Sequence, residues 1–210
     1  MQDLLRTGTG FEMRLILIRH GRTEANEKHL YCGSTDVGLS EKGRAELEDL
    51  KSRAVYPDVT GMRILTSGMK RCAETLRILF GELPHETEPD FREMDFGVFE
   101  MRSYEQMKED PEYLEWIGGD NESNVAPGGE SGKQMTERVL RALGRLDEEG
   151  RDALLVTHGG VIAALMAYLF PSENRNRYEW QPSCGCGYAV DTVERAYLPV
   201  PSFQATGKEV

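Results

Sequence analysis

Apolar residues arrive in short blocks separated by longer mixed stretches. Residues 14–18 (RLILI), 62–66 (MRILT) and 153–156 (ALLV) are runs without alternation, the pattern of strands buried on both faces. Residues 86–89 predict a weaker strand. Residues 187–193 and 195–200 predict two final strands turning at Glu194. Between these runs the apolar spacing changes to three and four. Leu47, Leu50 and Ala54 follow a Ser40 cap, in a helix that stops near Pro57. Cys72, Leu76 and Leu79 predict a helix capped by Ser67. Met135, Val139, Leu143 and Leu146 predict a long helix ending at Gly150, and residues 161–170 an apolar helix ending at Pro171. Residues 31–40, 91–100 and 121–129 read as loops or irregular chain, and 104–117 as one or two short polar helices broken near Pro111.

Strands that alternate with helices predict an α/β fold, a three-layer α/β/α sandwich with a mostly parallel central sheet and an antiparallel edge strand. The chain has 210 residues and shows no internal repeat or low-complexity linker. The expectation is one domain over 13–210, preceded by a flexible tail at 1–12.

Composition narrows the function classes. No apolar run reaches the roughly 20 residues of a membrane span, and the N-terminus lacks the basic start and apolar core of a secretory signal. The four cysteines form neither a disulfide framework nor a CxxC pair, so a reducing cytoplasm is expected and no metal site starts from them. The net charge is −11, which argues against nucleic acid and anionic membranes, since both need a basic face. Any phosphate site must collect its positive charge locally.

Two histidines share one context. His20 and His158 each stand where an apolar strand stops and a glycine opens the next turn. Ligands of open α/β sheets bind at the C-terminal ends of strands, so neighbouring strands would bring both imidazoles into one cleft; otherwise the two are unrelated histidines at element ends. Arg19 ends the first strand, where a charge without a partner is costly. Arg71 opens the helix after the second strand. Guanidinium groups match phosphate oxygens. Arg22, one turn further on, reads first as a solvated surface charge. A metal centre is the competing use of two histidines, but the arginines would repel a cation and no HExxH completes a shell. The stretch Gly128-Gly129-Glu130-Ser131-Gly132-Lys133-Gln134 lacks P-loop spacing and the Ser or Thr for magnesium. No cysteine is followed by an arginine six positions later.

Five ordered blocks resemble the histidine phosphatase superfamily, in its phosphoglycerate mutase-like branch. They are LIRHGRTEAN (17–26), YCGSTDVGLS (31–40), SGMKRCAET (67–75), REMDFGVFE (92–100) and VTHGG (156–160). The resemblance implies a phosphoglycerate mutase-like fold and a metal-independent, cofactor-free phosphomonoesterase acting on a small phosphorylated metabolite. His20 would be the nucleophile, and Arg19, Arg71 and His158 would hold the phosphoryl group, together with Gly159. Thr23 and Asn26 would add neutral hydrogen bonds, and Glu93 would be the general acid and base. Without the motif, Glu93 reads as a surface carboxylate. Arg22, Ser34, Thr35 and Tyr104 are candidates for substrate selection.

The gap from Glu93 to His158 looks like the shorter phosphatase members rather than the mutases. The phrases REMDFG and PGGES are most similar to the α-ribazole phosphatases, with broad-specificity phosphatases and mutases sharing them. A family member that has lost catalysis and only binds phospho-ligands is the reading of another class; the presence of both a nucleophile and an acid argues against it. Tyr104, Tyr113 and Trp116, with Tyr178, Trp180 and Tyr188, are rings that either stack on a flat base or pack internally. A homodimer is left open.

Overall fold

The first strand, β1 (Arg14–Arg19), buries four consecutive side chains because both faces of the sheet are covered. Leu15 and Leu17 enter one hydrophobic cluster, while Ile16 and Ile18 enter the other, as the two-residue period of a strand requires. These coordinates are a computed structural model, which describes residues 13–120 and 122–203. The expected tail at 1–12 lies outside the described residues.

The elements follow in chain order: α1 (Glu24–Glu27), α2 (Glu41–Arg53), β2 (Ala54–Val55), β3 (Arg63–Thr66), α3 (Lys70–Phe80) and β4 (Glu86–Thr87). Then come α4 (Tyr104–Met107), α5 (Pro111–Ile117), α6 (Gly132–Glu149), β5 (Ala153–Thr157), α7 (Gly159–Leu169), β6 (Gly187–Asp191), β7 (Ala196–Val200) and β8 (Ser202–Phe203). Among the described residues the main sheet has the order β4-β3-β5-β1-β6-β7. β4, β3, β5 and β1 run parallel. β6 and β7 close the sheet as an antiparallel hairpin, so the expected edge strand is a pair.

Helices cover both faces. α6 and α7 pack with Leu15, Leu17, Leu65 and Leu155. α2 and α3 pack with Ile16, Ile18, Ile64 and Leu154. The three-layer sandwich is therefore present. A third, smaller cluster of Phe99, Met107, Tyr113, Trp116 and Ala126 stands apart from the sheet, with Met94 packed against both it and the α6–α7 cluster.

Three local expectations change, and one element was not foreseen. α2 ends at Arg53, before Pro57, because Ala54 and Val55 pair with Phe203 and Ser202 in a second small sheet. Ser67 does not cap α3; Met69 holds that position without a side-chain hydrogen bond. The weak strand at 86–89 shortens to two residues, since Pro89 starts a 3-10 turn that ends at Phe91. The short helix α1 had no apolar period to reveal it; it forms because Thr23 and Asn26 make a reciprocal capping box. No helix among the described residues is long and apolar enough to cross a membrane.

Candidate active site

β1 and β5 are neighbours in parallel register, with Arg19 opposite Thr157. Their next residues are His20 and His158, whose ring centroids stand 5.1 Å apart, edge to face. The His20 amide donates to Thr157 O at 2.9 Å, which ties the two strand ends together. The shared cleft expected from the strand pattern is formed.

His20 is 6% exposed. Its Nδ1 lies 2.7 Å from Gly21 O. A carbonyl can only accept, so Nδ1 carries the hydrogen and Nε2 keeps its lone pair. Burial, then the Arg71 charge, pulls the His20 pKa from 6.5 to about 3; the Gly21 hydrogen bond acts in the opposite direction, and Arg19 adds a further lowering. The imidazole is neutral at ordinary pH.

His158 is fully buried. Arg71 Nε, which can only donate, lies 3.4 Å from its Nδ1, so Nε2–H faces Ser67 Oγ at 2.8 Å. The Ser67 hydroxyl then donates to Cys72 Sγ at 3.3 Å. Burial first, then Arg71 and His20, hold the His158 pKa well below 6.5.

Arg71 is 1% exposed. It donates to Gly33 O at 2.7 Å and to Thr35 O at 2.9 Å, so it braces the loop that faces the cleft. The same loop is held from its other side by Glu100, which accepts from the amides of Gly33, Ser34 and Thr35 and from Thr35 Oγ1. Arg19 donates through Nη1 to Pro182 O at 2.8 Å. Its Nε is buried with no protein partner; Trp116 Nε1 is the other such atom among the described residues.

Glu93 is half-buried. Its Oε2 accepts from the Gly160 amide in the first turn of α7 at 2.9 Å, and Oε1 from the Met94 amide at 3.0 Å. The two glycines of VTHGG permit this approach. A Cβ on Gly159 would stand 3.1 Å from Arg19 Cζ, and one on Gly160 would stand 2.4 Å from Glu93 Oε1. The chain before Glu93 is fixed by Thr157 Oγ1, which donates to Phe91 O at 2.7 Å, and by Arg138 of α6. Arg138 donates to the carbonyls of Asp90, Arg92 and Glu93 and pairs with Glu130.

Thus Arg19, His20, Arg71, Glu93, His158 and Gly159 gather at one end of the sheet. Thr23 and Asn26 close on each other instead, in the cap of α1. Arg22 pairs with Glu46 of α2 at 2.9 Å. Ser34 donates to Asp95. Tyr104, 53% exposed, packs edge-on against Tyr113, which is itself buried. Trp180 is in the core and Tyr188 packs against it. Trp116 and Tyr178 border a cleft beside Glu93 and Gly160.

Ser67, Glu100, Arg138 and Gly160 escaped sequence reasoning. Ser67 carried a readable signal: it follows a parallel strand as His20 and His158 do. The roles of Glu100 and Arg138 depend on loop carbonyls and amides, which leave no pattern in side-chain order.

Comparison with known proteins adds an independent line. The sequence model of the histidine phosphatase superfamily (branch 1) matches residues 15–194. The adenosylcobalamin/alpha-ribazole phosphatase of Salmonella typhimurium is 34% identical over 87% of this chain and 92% of its own. That of Escherichia coli is 32% identical over 94% of this chain and 99% of its own. The crystal structure of the alpha-ribazole phosphatase from Shigella flexneri superposes with a TM-score of 0.77 at 32% identity, covering 94% of this chain and 100% of that one.

Proposed function

The chain belongs to the histidine phosphatase superfamily (branch 1) and is a phosphatase, and from that premise we propose that it hydrolyses a phosphomonoester through a phosphohistidine at His20. The observation that carries this reading is the free Nε2 of a neutral His20 set beside the buried Arg71 and the partly buried Arg19.

In the first step the Nε2 lone pair attacks phosphorus and the bond to the ester oxygen breaks. Glu93 gives its proton to that leaving oxygen. In the second step the Glu93 carboxylate takes a proton from water, the resulting hydroxide oxygen bonds phosphorus, and the P–N bond breaks to return neutral His20 and orthophosphate. Arg19 offers its unpartnered Nε, and Arg71 its remaining N–H groups, to the phosphoryl oxygens as charge spreads over them. His158 acts through Arg71, whose Nε it receives. The N-terminus of α7 adds its positive dipole end at Gly159 and Gly160. Because the positive charge is supplied by guanidinium groups, the reaction needs no metal or cofactor.

The substrate we assign is α-ribazole 5′-phosphate, on the strength of the alpha-ribazole phosphatases to which the chain is similar and of the ring-lined cleft beside Glu93. The test is phosphate release in EDTA from α-ribazole 5′-phosphate, 3-phosphoglycerate and an aryl phosphate, with His20→Ala as control. Preference for the first, lost in His20→Ala, supports mechanism and substrate. Equal rates on all three retain the mechanism and give a broad-specificity phosphatase. Activity lost in EDTA or kept in His20→Ala overturns the phosphohistidine route.

A further inference from the structure

The smaller hydrophobic cluster has sealed members and open ones. Phe99, Met107 and Tyr113 are buried, whereas Tyr31, Met94, Phe96 and Ile117 are only partly covered. The open members, with Trp116 and Met135, line one cleft of about 270 Å³, just below the roughly 300–1,000 Å³ of small-molecule sites. Glu93 and Gly160 form its inner border. A leaving oxygen that takes its proton from Glu93 therefore departs toward this cleft, and the group attached to it lies here.

The walls are aromatic and set in fixed geometry. Tyr31 packs edge-on to Phe96 at 5.1 Å and to Trp116 at 5.5 Å. Its hydroxyl is held by Tyr113 Oη at 2.8 Å, so the ring is placed before any ligand arrives. Rings held this way present apolar faces and edges at little ordering cost. At the rim, Arg177 pairs with Glu122, and Tyr178 Oη donates to Glu122 at 3.3 Å. That pairing neutralises the guanidinium, so the rim does not compete with the Arg19–Arg71 pocket for phosphate.

We infer that this cleft is the subsite for the flat, uncharged ring of the leaving group, with Phe96, Trp116 and Ile117 as specificity-determining residues. The inference rests on the phosphatase reading and says which part of the protein reads the base. Ring recognition is separate from phosphate recognition, since no arginine of the phosphoryl pocket lines the cleft.

The test compares kcat/KM for α-ribazole 5′-phosphate and ribose 5-phosphate, a sugar phosphate without a base. The enzymes are wild type, Ile117→Trp, which fills the cleft, and Phe96→Ala, which removes a wall. The wild type is expected to prefer the base-bearing ester. Each variant should lose about tenfold to a hundredfold on it, the worth of one stacked ring, while ribose 5-phosphate turnover stays within about twofold. Equal loss on both esters, or no loss on either, overturns the subsite. Calorimetry of phosphate-free α-ribazole with His20→Ala, and with His20→Ala combined with Ile117→Trp, separates this inference from the phosphatase reading. Saturable binding weakened about tenfold or more by the filled cleft supports the subsite even if the wild type cleaves neither ester, a result that would sink the α-ribazole 5′-phosphate assignment alone. Binding that is absent or indifferent to Ile117→Trp overturns the subsite.

Discussion

At the scale of single residues, the candidate site holds ordinary groups in one protonation or hydrogen-bonding state. His20 is neutral with Nδ1–H fixed on Gly21 O. Its folded pKa of about 3 and the depressed value of His158 both lie below the unfolded 6.5. Between those values the unfolded chain binds protons that the folded chain refuses, so stability rises with pH there. The contribution is complete above pH 6.5 and is lost as pH falls from 6.5 toward about 3. Urea midpoints at pH 7 and pH 5 should therefore differ less in His20→Gln than in the wild type; identical differences would refute the buried neutral histidine. Glu93 gives a second expectation. Glu93→Gln should lower kcat/KM by about 10²–10⁴ on an alkyl phosphate, the usual worth of a general acid. The loss should be much smaller on 4-nitrophenyl phosphate, whose leaving group hardly needs a proton. A uniform loss on both would remove Glu93 from the acid role.

At the scale of elements, the loops that carry the candidate site residues are positioned by secondary structure outside the phosphoryl pocket. α6 is amphipathic and capped by the reciprocal Ser131–Gln134 box. Its apolar face was readable at helical spacing, but Arg138 was not, because its guanidinium meets main-chain carbonyls of Asp90, Arg92 and Glu93. Arg138→Ala leaves those carbonyls without that donor and Glu130 with the Asp95 amide alone. A shift of the loop by about 1 Å can cost about 10²-fold. We expect a loss of that size in kcat/KM that follows the leaving group as in Glu93→Gln, whereas general destabilisation would lower the rates for both esters alike. The cap itself is separable: Ser131→Ala should cost about 1 kcal/mol in urea unfolding and leave kcat unchanged.

At the scale of the whole molecule, a parallel sheet covered on both faces carries the site at its C-terminal edge, and two independent cores hold that sheet. Leu155 is wholly buried in the α6–α7 cluster. Leu155→Ala should cost about 2–5 kcal/mol, read from urea midpoints, with kcat at a permissive temperature nearly unchanged; a catalytic loss without a stability loss would contradict the separation of core from site. Most of this plan was legible beforehand. Continuous apolar runs identified RLILI and ALLV as strands covered on both sides and 161–170 as a buried helix, and the 3–4 spacing identified α2, α3 and α6, because burial of a repeating face leaves its period in the residue order. The RHG and THG blocks marked both histidines, since each follows an apolar strand and precedes a glycine. What only the tertiary structure decided was adjacency. The pairing of β1 with β5 sets His20 against His158, Ser67 turns from a helix cap into the partner of His158, and Thr23 and Asn26 turn toward each other. Tyr31 joins Phe96 and Trp116 across more than 60 residues of chain. Local periodicity reports which face of an element is buried; it does not report against what, because that choice is made by contacts between segments far apart in sequence.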